Sequence, residues 1–93
     1  MRVLWSRPAR DDVFAIADYY DAIDPDLAEA MVDRIDGAAS VLMANPNIGR
    51  PIANLDVRKS SVRRTPFLLL YVVRGNDIEI RRVRHGAADW LSE

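Results

Sequence analysis

The chain has no cysteine and a single histidine, His85. Without cysteine, no disulfide staples the fold and no thiolate can act as nucleophile or ligand. One imidazole is a poor start for a metal site, so no metal and no cofactor is expected. No apolar run approaches the length of a transmembrane helix. The N-terminal stretch Met-Arg-Val-Leu-Trp-Ser-Arg-Pro-Ala-Arg-Asp-Asp lacks the apolar core of a secretory signal. These absences predict a cytoplasmic protein with no membrane partner. Its 93 residues leave room for one core, so a single domain spanning 1–93 is expected.

What is present is enough to fold. Apolar residues make up 49% of the chain, well outside the composition of disordered segments. The net charge of −1 hides an asymmetry. Residues 1–49 carry nine acids and four basic residues, whereas residues 50–93 carry nine basic residues and five acids. The cations cluster at Arg58, Lys59, Arg63, Arg64, Arg81, Arg82 and Arg84. Such a cluster is either solvated surface or a patch for an acidic partner, peptide or RNA.

The chain is organised around Val62–Asp89. Two runs rich in β-branched and aromatic residues, Phe67–Val73 and Ile78–Val83, flank Gly75-Asn76, a pair that tolerates positive φ and predicts a two-residue hairpin turn. With that loop, Arg74 pairs with Asp77, Val73 with Ile78 and Tyr71 with Ile80. Phe67, Leu69, Tyr71, Val73, Ile78 and Ile80 then share one face, the predicted core. Leu68, Leu70 and Val72 fall on the other face, beside Glu79, Arg81 and Val83. A sheet with one solvated face alternates apolar with polar residues, and this strand does not alternate.

Upstream, Arg2–Trp5 reads as a short strand. Ser6 is placed to cap a helix with Pro8 in its first turn. Val13, Ile16, Ala17, Tyr20 and Ile23 recur at helical spacing. Asp24-Pro25 ends that helix and starts another, with Leu27, Ala28, Met31, Ile35, Ala38, Ala39 and Leu42 as its stripe. Helices over about 7–23 and 25–44 follow, joined tightly enough to form an antiparallel hairpin. Asn45-Pro46-Asn47 stops the second. Ile48–Ser60 reads as a loop, and Val57–Thr65 holds room for a strand that Pro66 ends. The expected fold is α+β: an N-terminal strand and an antiparallel helical hairpin on one face of a mainly antiparallel four-stranded sheet. One helical hairpin covers one face only. The row Leu68, Leu70, Val72 is therefore expected to lie open and to need a partner.

This order of elements resembles a known family. So do Asn45-Pro46-x-x-Gly49-Arg50-Pro51, Tyr71-Val72-Val73, and Ile78-x-Ile80-x-x-Val83-x-His85-Gly86-x-x-Asp89-Trp90. Together they are similar to the RelE/ParE toxins of bacterial type II toxin–antitoxin systems, and the ending is most similar to the ParE branch. The resemblance implies a toxin neutralised by a ParD-like antitoxin, with DNA gyrase as target and DNA reached only through the antitoxin. RelE-type relatives instead cleave messenger RNA on the ribosome. On this reading Leu68, Leu70 and Val72, rimmed by Arg63, Arg64, Arg81 and Arg84, would bind an acidic amphipathic antitoxin segment. His85 and Trp90 would be target-binding candidates. Each has a plainer alternative, a hydrogen-bonded strand end for His85 and packing of the tail for Trp90.

Metal-free RNA cleavage needs a base, an acid and cations for the phosphate. Arginine stays protonated and is a poor proton shuttle. His85 alone has a suitable ordinary pKa. RelE-type nucleases carry further basic residues and a tyrosine or histidine near the C-terminus, where this chain has Ala87, Ala88 and Leu91-Ser92-Glu93. The expectation is a non-enzymatic toxin. An mRNA endonuclease, or a degenerate toxin that only forms the antitoxin complex, stands as the alternative.

Overall fold

The computed structural model describes residues 1–86. Strand β1 (Arg2–Trp5) leads into helices α1 (Arg7–Asp21) and α2 (Pro25–Ala44). Then come β2 (Arg50–Pro51), β3 (Arg58–Ser61), β4 (Phe67–Arg74) and β5 (Asp77–His85). The sheet order is β1-β5-β4-β3-β2, with β1 parallel to β5 and the other pairs antiparallel. The expected α+β architecture holds, with five strands rather than four. The added strand, β2, is two residues long, too short to leave a periodic signal.

Both helices start as the sequence predicts. Ser6 caps α1 by accepting from the Ala9 N–H at 3.2 Å, and Asp24 caps α2 through the Asp26 N–H at 3.0 Å. Helix α1 ends two residues earlier than its apolar spacing implies. Ile23 lies in the connecting turn and is exposed. The main core lies between the helices and one sheet face, built from Met31, Ile35, Ala39 and Leu42 against Phe67, Leu69, Tyr71, Ile78, Ile80 and Val83.

The β4–β5 register follows the Gly75-Asn76 turn as far as Tyr71↔Ile80 and then shifts. Leu70 faces Arg82 rather than Arg81, so Arg81 is the extra residue of a β-bulge. This corrects the expected position of Val83, which stands opposite Leu69 in the main core and is buried. The physical reason lies in α1. The Arg81 carbonyl accepts from the Ser6 hydroxyl at 2.8 Å, and the Val83 N–H donates to the Asp12 carboxylate at 2.9 Å. The same carboxylate takes a two-pronged bond from the Arg82 guanidinium at 2.8 and 3.0 Å, which raises the Arg82 pKa above its ordinary value. Backbone groups freed by the bulge thus bond to the first helix. Asp12→Ala is expected to cost about 1–3 kcal/mol by orphaning the Val83 N–H. Asp12→Asn, which keeps an acceptor, should recover part of that loss in a urea titration.

The second face of the sheet is not open. Leu68, Leu70 and Val72 are 7%, 9% and 3% exposed. After β2 the chain folds back, and Ile52, with Val57 beside it, packs on Leu68 and Leu70 as a second small core. A tight turn holds this cover, with Ile52 N–H to Val57 O at 2.9 Å and Leu55 N–H to Ile52 O at 3.0 Å. Asn54 there adopts φ 62, a conformation Asn tolerates better than most residues. A loop does for this face what the helices do for the other, and the expectation of an open apolar row is corrected.

The loop's entry is fixed from the core. Tyr71 is fully buried. Its hydroxyl donates to Pro46 O at 2.8 Å and accepts from the Gly49 N–H at 2.9 Å. Arg58 adds a bond to Gly49 O at 2.8 Å. The Asn45-Pro46-x-x-Gly49 motif and Tyr71 therefore form one device, joining the end of α2 to the middle of the sheet.

Candidate binding surfaces

The structure separates the residues expected to form one antitoxin surface. Leu68, Leu70 and Val72 are interior. Arg81 is exposed at the bulge and pairs with Glu79 at 2.7 Å. Arg84 is half-buried on β5, opposite Leu68. His85 ends β5 opposite Phe67, with the two rings edge-to-face at 5.8 Å. Trp90 lies outside the described residues, as does the tail Ala87–Glu93.

Arg63 and Arg64 sit in the turn between β3 and β4, closed by Thr65 N–H to Val62 O at 3.3 Å. Arg64 is the third residue of that turn and adopts φ 62. That position favours glycine or asparagine, and an arginine there costs about 1–2 kcal/mol of backbone strain. The Arg34 guanidinium of α2 donates to Arg64 O at 3.1 Å and ties the turn to the helix.

Between that turn and α2 lies a groove of about 570 Å³. Arg34, Arg63 and Arg64 line it, Val41 and Ile48 supply apolar surface, and no acidic residue is among its described lining residues. Val41 and Ile48 are 50% and 59% exposed. Arg34, Gly37, Ala38 and Val41 follow one helical stripe, at i, i+3, i+4 and i+7. Gly37 lies well inside α2, where glycine costs about 1 kcal/mol relative to alanine. A Cβ built there meets nothing within 4 Å, so no contact among the described residues requires glycine. Sequence reading found Arg63 and Arg64 as part of a basic cluster. It missed Arg34, Gly37, Val41 and Ile48. The available signal was Val41, an apolar residue of α2 off the core stripe.

His85 faces a different notch, of about 330 Å³, lined by Ala15, Ile16, Tyr19, Tyr20 and Phe67. Tyr20 packs edge-to-face on both Tyr19 and Phe67, with ring centres 5.0 and 6.2 Å apart. No arginine or lysine is among its described lining residues. Among the described residues, no three His, Cys, Asp or Glu side chains come together as a metal site. No described helix is long and apolar enough to cross a membrane.

A helical hairpin on a bulged antiparallel sheet, opened by a parallel edge strand, is the frame on which comparison with known proteins bears. Residues 3–90 match the family model described as the ParE toxin of the type II toxin–antitoxin system, parDE. The chain belongs to that family. It is 34% identical over 86 residues to Toxin RelE2 of Caulobacter vibrioides, covering 92% of this chain and 96% of that protein. It is 30% identical over 89 residues to Y4kP of Sinorhizobium fredii, covering 96% and 92%. Among solved structures, one chain of the chromosomal ParDE TA system from P. aeruginosa superposes with a TM-score of 0.81 at 33% identity. That match covers 91% of this chain and 95% of the other.

Proposed function

We propose that this chain is a toxin that inhibits DNA gyrase by binding, without catalysis, and that a ParD-like antitoxin neutralises it. The match to the ParE family over 3–90, with the likeness to a chain of a ParDE system, supports the toxin and antitoxin parts. On this reading the protein works in the cytoplasm and meets DNA only through its partners.

The non-catalytic part rests chiefly on the setting of His85. A metal-free nuclease holds the scissile phosphate with cations beside its proton-transfer group. The notch at His85 is aromatic and aliphatic, and Arg34, Arg63 and Arg64 line a different groove. A surface of that kind suits contact with a protein better than a phosphate. One relative carries the name RelE2, so the ribosome-dependent endonuclease is the reading to test against.

His85→Gln keeps size and some hydrogen bonding but cannot titrate near neutrality. Toxicity is expected to survive it, whereas losing a proton-transfer group costs a nuclease about 10²–10⁴-fold in rate. The check pairs supercoiling assays on purified gyrase with transcript mapping soon after induction. Codon-positioned cleavage that vanishes with His85→Gln, with gyrase unimpaired, would overturn the proposal.

A further inference from the structure

Two residues that work against local structure line the same groove. Gly37 weakens α2, although the space around it would accept a methyl group. Arg64 occupies a left-handed turn position that glycine would hold without strain. Neither choice is required by a contact within the described chain. Local rules broken without an internal return mark functional surface. The remaining lining states the chemistry. Arg34, Arg63 and Arg64 supply three positive charges with no acid among the described lining residues, and Val41 and Ile48 are apolar residues at least half exposed.

We propose that this groove seats an acidic amphipathic segment of the antitoxin. Its carboxylates face Arg34, Arg63 and Arg64, its apolar side chains cover Val41 and Ile48, and its backbone comes closest at Gly37. The inference rests on the antitoxin reading above and deepens it by naming the docking surface and the partner's chemistry. Nucleic acid fits this groove less well. Sequence-tolerant nucleic-acid grooves stack bases on aromatic rings, and no aromatic residue is among the described lining residues of this one. Val41 and Ile48 offer nothing to a phosphate backbone, which would use only the arginines and serines of the groove.

Stability and binding should change in opposite directions at these residues. Gly37→Ala and Arg64→Gly should each raise the thermal midpoint of the toxin, because each repairs a local cost. The Arg34 bond to the turn survives the second change, since its acceptor is the backbone carbonyl of residue 64. Each should also weaken the antitoxin, Gly37→Ala by about tenfold through crowding at close approach. Charge reversal with Arg63→Glu and Arg64→Glu together should weaken it about thirtyfold or more.

The experiment measures binding of the purified toxin and its variants to the antitoxin encoded beside it, with melting curves on the same samples. Reduced binding by variants that melt at or above the wild-type temperature supports the proposal. Wild-type toxin that binds no antitoxin overturns the functional reading, and this inference with it. Full-strength binding by all variants beside a binding wild type overturns the groove alone. Variants that lose affinity for a DNA duplex or a single strand, but not for antitoxin, would assign the groove to nucleic acid and overturn it too. A lowered midpoint for Gly37→Ala would mean that glycine serves the fold and would remove Gly37 from the site.

Discussion

Gly49→Ala is expected to destabilise the protein by about 2–4 kcal/mol, combining overpacking with loss of a buried hydrogen bond. A Cβ at Gly49 would stand 2.6 Å from the Tyr71 hydroxyl oxygen and 2.8 Å from the carbonyl oxygen of Lys59. Tyr71 has nowhere to go, because it is fully buried and its hydroxyl is already bonded to Pro46 O. Lys59 O belongs to the β3 backbone, so moving it disturbs a strand. Tyr71→Phe approaches the same device from the other side. It leaves the Gly49 N–H and Pro46 O without their partner and should cost about 1–3 kcal/mol. The two changes are in contact and should not add. In the Tyr71→Phe background the clash with the hydroxyl is gone, so Gly49→Ala should cost less than in the wild type. Urea titration of the two single variants and the double variant measures this coupling. Strict additivity would mean that the loop entry and Tyr71 are energetically independent.

Much of the fold was legible because its signals are local. Ser6 and Asp24 are caps read from residue type and spacing, and both cap in the structure. Gly75-Asn76 fixed the first four pairs of β4 and β5 correctly. The register failed beyond Tyr71 because the bulge depends on Ser6 and Asp12, more than sixty positions away. A pattern of alternation cannot contain that information. The strand β2 and the cover under Ile52 were missed for a related reason. Ile48, Ile52 and Leu55 stand at i, i+4 and i+7, but Gly49 and Pro51 leave no helix to carry that spacing, and a fold-back loop buries residues by geometry rather than repetition.

The candidate surface was half legible. Arg63 and Arg64 announced themselves as adjacent cations in the basic half of the chain. Arg34 sits in the acidic half, where its charge is outnumbered and reads as ordinary helix solvation. Gly37 carries meaning only beside the observation that its surroundings are empty. The reading of Leu68, Leu70 and Val72 went wrong at an inference about supply. Two helices cannot cover two faces, but the short loop between β2 and β3, with one isoleucine in the right place, can cover most of one.

That cover is the source of the other large expected effect. Ile52 is 7% exposed and packs on Leu68 and Leu70. Ile52→Ala should cost about 2–4 kcal/mol from lost burial and the cavity left behind. Ile52→Asp goes further, since an uncompensated carboxylate cannot stay against two leucines, so the loop from 52 to 57 should lift away. The apolar row would then face water, as a sticky sheet face of the kind that drives self-association. The expected readout is strong binding of a hydrophobic dye and concentration-dependent aggregation by Ile52→Asp, against weak dye binding by the free wild type. The helical core should persist, because Met31, Ile35 and Leu42 pack on the opposite face with Leu69 and Ile80. Circular dichroism would follow that helix signal while dye fluorescence follows the exposed row. Wild-type protein that binds the dye as strongly as Ile52→Asp would mean that the second face is open in solution and awaits a partner.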